Sequence, residues 1–119
     1  MCSGGSANHL LILVCFIVVN NTMYLYVIAD DYDDLCKVGY SEDPDRRCAE
    51  LNVGNPHQLR VVHRVRVPDD RVRLLESKLH FELGPYRARG EWFRVPPRRA
   101  AGLLDFCVIR WMDDPLLED

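Results

Sequence analysis

Apolar positions along this chain fall into two rhythms, one of period two and one near 3.6, and the switches between them mark out its elements. Residues 23–29 (Met-Tyr-Leu-Tyr-Val-Ile-Ala) are rich in β-formers and apolar on both faces, which predicts a central strand. A polar loop at 30–33 separates it from a second short strand at 35–40. Asp43 then reads as an N-cap with Pro44 at the first helical position, and the helix runs to about Leu51 before the Asn52–Pro56 stop. From 59 to 67 the chain alternates. Leu59, Val61, His63, Val65 and Val67 take one side and Arg60, Arg64 and Arg66 the other, with Val62 out of phase.

The helical rhythm returns after Pro68-Asp69-Asp70, which reads as a cap. Val72, Leu75, Leu79 and Leu83 make a core stripe that ends at Gly84. Residues 92–95 suggest a short strand, and Pro96-Pro97 opens a third helix through about Trp111. The acidic tail after it, 112–119, reads as frayed. The order is β-β-α-β-α-(β)-α. It predicts an α/β (α+β) domain with a small three-stranded antiparallel sheet flanked by helices, without internal repeats or linkers between 23 and 111.

Upstream, residues 10–19, from Leu10 to Val19, form an unbroken apolar run. Ten helical residues span only about 15 Å, half of a bilayer core of roughly 30 Å. No charged n-region or small-residue cleavage site marks a secretory signal. We read 1–22 as a dispensable extension, Met23 being a candidate start; a buried element and a weak membrane anchor are the alternatives. Five cysteines, odd in number and with no Cys-x-x-Cys pair, argue against a disulfide framework. They fit a reducing compartment such as the cytoplasm.

The net charge of −3 hides an uneven distribution. Between 60 and 99 there are eleven Lys and Arg against five Asp and Glu, a local charge of +6. A polyanion partner fits that half, although scattered solvating arginines would give the same composition. In the hairpin, a four-residue loop would set Ala29 opposite Asp34 and Tyr26 opposite Lys37. Cross-strand Cβ atoms lie about 5 Å apart. The ammonium would then lower the phenol's pKa and place a base beside a phosphate-attracting cation.

Tyr24-Leu25-Tyr26 followed by Lys37-Val38-Gly39 resembles the paired tripeptides of the GIY-YIG nucleases. Arg47 stands eight residues after Gly39, where that family keeps its arginine. Leu75-Glu76-Ser77-Lys78-Leu79-His80 and Gly90-Glu91-Trp92-Phe93 resemble its branch named after a bacteriophage T5 open reading frame, often described as DNA-binding. The match covers about 23 to 104. Leu25 and Tyr24 replace the usual isoleucine and glycine, and Lys37 stands at the second tyrosine, where it is a donor and not a base.

The resemblance implies a metal-dependent DNA endonuclease using Mg²⁺ (or Mn²⁺) and leaving a 5′-phosphate and a 3′-hydroxyl. Tyr26 would activate or orient the attacking water, with Lys37 on the same side. Arg47 would bring its planar fork to the phosphoryl oxygens. Glu76 would hold the metal, and His80, one turn on, would line the site or orient it. Glu91 either completes the carboxylate set or is an exposed turn residue. Arg60, Arg64, Arg66, Arg87, Arg89 and Arg94 are candidates for the DNA backbone. His63 reads as packing inward. The alternative function is a non-catalytic DNA-binding module of the same fold; a membrane-associated structural protein using Leu10 to Val19 is a more distant rival.

Overall fold

Strand β1 (Thr22–Ala29) owes its place to its composition: Leu25, Tyr26, Val27, Ile28 and Ala29 are all 2% exposed or less, so both faces must be covered. The structure, a computed structural model, describes residues 22–30 and 34–112. The apolar run 10–19, part of the first loop and the acidic tail lie outside the described residues. β1 is flanked by β3 (Arg60–Pro68) and β2 (Cys36–Ser41), and β2 by β5 (Trp92–Phe93) and β4 (Arg87–Arg89). The sheet has five strands in the order β3-β1-β2-β5-β4, with every neighbouring pair antiparallel.

The α+β class is as expected, but the three-stranded sheet is not. Arg-Ala-Arg shows no apolar alternation and is exposed throughout, so β4 carries no hydrophobic signal in the sequence. The local clue is Gly90, whose φ of +56° makes the tight turn between β4 and β5. Arg94 N donates to Tyr86 O at 2.7 Å and closes this small hairpin.

One sheet face packs on helices α2 (Val72–Leu83) and α3 (Pro97–Trp111). Leu25, Val27, Ala29 and Val38 meet Val72, Leu75, Leu79, Leu83, Ala100 and Leu104 there. The expected α2 stripe is therefore the core. Leu75→Ala should destabilise the domain by about 2–5 kcal/mol, read as a lowered urea midpoint at unchanged slope. Asp69 and Asp70 do not cap α2. Its start lacks any side-chain cap, and a turn from Arg71 N to Pro68 O leads into the helix instead.

The opposite face carries α1 (Pro44–Asn52) and a second cluster of Tyr26, Ile28, Cys48 and Leu59. Asp43 caps α1 as expected, its carboxylate accepting from Arg46 N at 3.1 Å. A bulge interrupts β3. Val27 pairs with His63 and Ile28 with Val61, so Val62 is an extra residue that flips the side-chain alternation. Leu59 and Val61 join the α1 side, while Val62, Val65 and Val67 join the other. Val62 was out of phase for this reason, and the single apolar face read for 59–67 is in fact two. His63 is half-buried and binds Asp105 Oδ1 of α3 at 2.7 Å.

The hairpin register differs from the expected one by two residues. Ala29 faces Cys36 across a six-residue connection, so Tyr26 faces Gly39 and Ile28 faces Lys37. A slip of two keeps every side chain on its expected face, which is why alternation alone could not detect it.

Candidate active site

Gly39 decides this register. A Cβ there would lie 2.8 Å from the Tyr26 hydroxyl and 3.0 Å from Glu91 Oε1. The phenol therefore occupies the space above a bare backbone, and only glycine leaves that space open. The second tripeptide's glycine is thus part of the site, a role the sequence reading did not assign to it.

Four elements bring side chains to this point. β1 supplies Tyr26, buried but for its edge. Arg47, on α1, is half exposed and hydrogen-bonds the phenol, and its Nη1 also lies 3.3 Å from Glu50 Oε1. Arg46 points away, most of its side chain in solvent, as helical geometry demands. β2 supplies Lys37, a buried lysine whose Nζ sits 2.9 Å from Glu91 Oε1. α2 supplies Glu76 and His80, each side chain only 16% exposed.

Val38 joins the last two sources. Its N–H donates to Glu91 O at 3.0 Å, and its carbonyl lies 2.8 Å from His80 Nε2. A carbonyl can only accept, so Nε2 carries the hydrogen. His80 also packs against the Phe93 ring at 5.1 Å and stands 3.9 Å from Glu76 Oε2. With Nε2 committed to Val38, His80 fastens α2 to β2, and Glu76, one turn earlier on α2, is brought beside the site with it.

The electrostatics follow from burial. Glu76 is pushed up to about 7, first by desolvation and then by Glu91, against the pull of Lys37. Tyr26 is raised as well: burial outweighs the hydrogen bond from Arg47, and Glu91 and Glu76 add to the rise. This overturns the expected lowering of its pKa by Lys37. The corrected register turns Lys37 onto Glu91, and the phenol is a hydrogen-bond donor more readily than a base.

One atom each of Glu76, His80 and Glu91 lie within 4.8 Å of one another, a spacing that could hold a metal ion. Two carboxylates suit a hard divalent cation such as Mg²⁺. A dication would also relieve the repulsion that raises Glu76. The residues fit the group.

Tyr26, Lys37, Arg47, Glu76, His80 and Glu91 are therefore brought together. The arginines proposed for DNA are not one patch. Arg64 is tied to Asp45 Oδ1 at 2.6 Å, and Arg87 turns back onto Gly90 O with its guanidinium 4.9 Å from the Phe93 ring. Arg64 and Arg66 project beside Tyr26 and Tyr24, their register partners on β1. Arg60 pairs with Ala29, and Arg89 with Trp92. Cys36, Cys48 and Cys107 are buried and unbridged. No helix among the described residues is long and apolar enough to cross a membrane.

A small α+β domain with acidic, basic and phenolic groups convergent at one sheet edge is of a kind suited to anionic esters. Residues 23–111 match the T5orf172 domain, and the chain belongs to that GIY-YIG-like, nuclease-related family. No curated protein and no solved structure matches the chain.

Proposed function

We propose that the domain is a metal-dependent DNA endonuclease that hydrolyses phosphodiesters at the Gly39 edge. One observation carries this reading: Glu76 and Glu91 lie together at the open edge above Gly39, beside a tyrosine that is hydrogen-bonded to an arginine. Glu76 and Glu91 would hold Mg²⁺ or Mn²⁺, which when bound supplies positive charge to the phosphodiester and its leaving oxygen. Arg47 already donates to the phenol oxygen, so the Tyr26 hydrogen is left to orient the attacking water. The remaining donors of Arg47 reach the phosphoryl oxygens as their charge grows. Lys37 fixes Glu91 and offsets part of the acidic charge. Resemblance to the GIY-YIG nucleases supports a 5′-phosphate and a 3′-hydroxyl as the ends left.

The test is nicking of supercoiled plasmid with Mg²⁺ and with Mn²⁺. Tyr26→Phe removes one oxygen from a packed ring, so the fold should persist while nicking falls by about 10²-fold. Unchanged nicking in that variant would remove Tyr26 from the mechanism.

A second reading, a DNA-binding module without catalysis, is favoured by the raised Tyr26 pKa and by Lys37 already neutralising Glu91. Salt-sensitive DNA binding with no nicking in either metal would select it over the nuclease.

A further inference from the structure

A cavity of about 500 Å³ opens between the β4–β5 hairpin, the α1–β3 connection and the end of β1. That volume is within the range of small-ligand sites. Buried Leu59 and half-buried Trp92 give it apolar surface, exposed Arg89 and Arg94 give it positive charge, and Asp30 adds an acceptor. The grouping follows from the strands. Arg89 is the cross-strand partner of Trp92, and Arg94 lies two residues beyond Trp92 on the same strand direction. Neither guanidinium has a hydrogen-bond or ion-pair partner among the described residues.

Lys37 links the cavity's Trp92 to the candidate active site. This residue faces Trp92 in the sheet, holds its Nζ 6.0 Å from the Trp92 ring and touches Glu91 at 2.9 Å. An indole flanked by two free guanidinia matches a nucleotide, with the base on the ring and phosphates on the arginines. A base inside a duplex is stacked on both faces and cannot enter such a cavity.

We propose that this cavity takes one unpaired base of a DNA strand, stacked on Trp92, with Arg89 and Arg94 on the flanking phosphates. The strand then passes Lys37 toward Glu76 and Glu91. The substrate class is DNA with a single-stranded or unpaired segment next to the cut, in place of uniform duplex. This rests on the reading of the domain as one that acts on DNA, and it sharpens that reading.

The test uses binding without divalent metal, so that no cleavage occurs. Trp111→Phe in the full chain leaves Trp92 as the only tryptophan. Titration with an oligothymidylate should quench Trp92 emission. An abasic oligonucleotide of equal length, with the same phosphates and no bases, should bind at least about tenfold more weakly and leave emission unchanged. A blunt duplex should bind without quenching. Replacing both arginines (Arg89→Ser with Arg94→Ser), on the surface and without packing roles, should lower the salt dependence of oligothymidylate binding by about two phosphate contacts.

Equal affinity for abasic and thymidylate strands would overturn the proposal. So would binding that never changes Trp92 emission, or free thymidine monophosphate binding as tightly as the oligonucleotide. These outcomes are separable from failure of the nuclease reading. Absent nicking with intact base-dependent quenching ends the nuclease and leaves the cavity's role standing, whereas nicking with no base dependence does the reverse.

Discussion

Glu76→Gln should reduce plasmid nicking by at least about 10²-fold and, in the absence of metal, make the protein more stable at pH 8. The two effects have one cause. Glu76 is held near 7 against its usual 4.5, mainly by burial. Its protonated form is therefore favoured in the folded state, and the associated stability is complete below about 4.5. That stability is lost as pH rises through about 7. At pH 8 the wild-type carboxylate is ionised and only partly compensated by Lys37. Glutamine keeps the shape without the charge, and the gain should reach at most about 3 kcal/mol. At pH 4 the two proteins should unfold at the same urea concentration. Magnesium should raise the wild-type midpoint and leave the glutamine variant much less affected. A Glu76→Gln protein that nicks at the wild-type rate would remove Glu76 from the proposed metal site, and one that gains nothing at pH 8 would show that burial does not raise this carboxyl.

Gly39→Ala is the smallest substitution with a large expected effect. Its methyl group would meet the Tyr26 hydroxyl at 2.8 Å and the ring carbon that bears it at 3.1 Å. Tyr26 is 2% exposed and rigidly packed, so it cannot swing aside without displacing its neighbours. Overpacking of this kind costs about 1–3 kcal/mol. A shift of about 1 Å at the phenol and Glu91 should lower nicking by about 10²-fold, more than the stability change accounts for. Circular dichroism should show the fold retained. If Gly39→Ala nicks normally, the space above Gly39 is not where the chemistry occurs.

The sequence was most legible where burial imposes a period. The α2 stripe, the Asp43 cap and the doubly covered β1 all follow from local rules, and each is where those rules put it. Features set by contacts between distant residues were read less well. The hairpin slip preserves the faces and so leaves no trace in the pattern; it is decided by the fit of Tyr26 over Gly39. The bulge at Val62 was visible as an out-of-phase residue, but its consequence, a change of face along β3, needed the pairing with β1. β4 is an arginine-rich edge strand held by β5 and a turn, with no large apolar residue to mark it. Within the site, Glu91 could not be separated from an ordinary turn residue until Lys37 and Val38 were seen to hold it. Tyr26's raised pKa was likewise invisible, because proximity to a cation was assigned from the wrong register.

Val38 gives both of its main-chain polar groups to the outer edge, one to Glu91 and the other to His80. The chain segments that carry the two carboxylates are thus fastened to a single peptide position, and neither can drift without releasing that residue. The weaker fastening is the side held by β5, which is only two residues long. Opening there would separate the acidic pair and also draw buried Phe93 out of the core. The integrity of the acidic pair is therefore tied to the same two-residue strand that anchors Phe93, so the site and that end of the core loosen together.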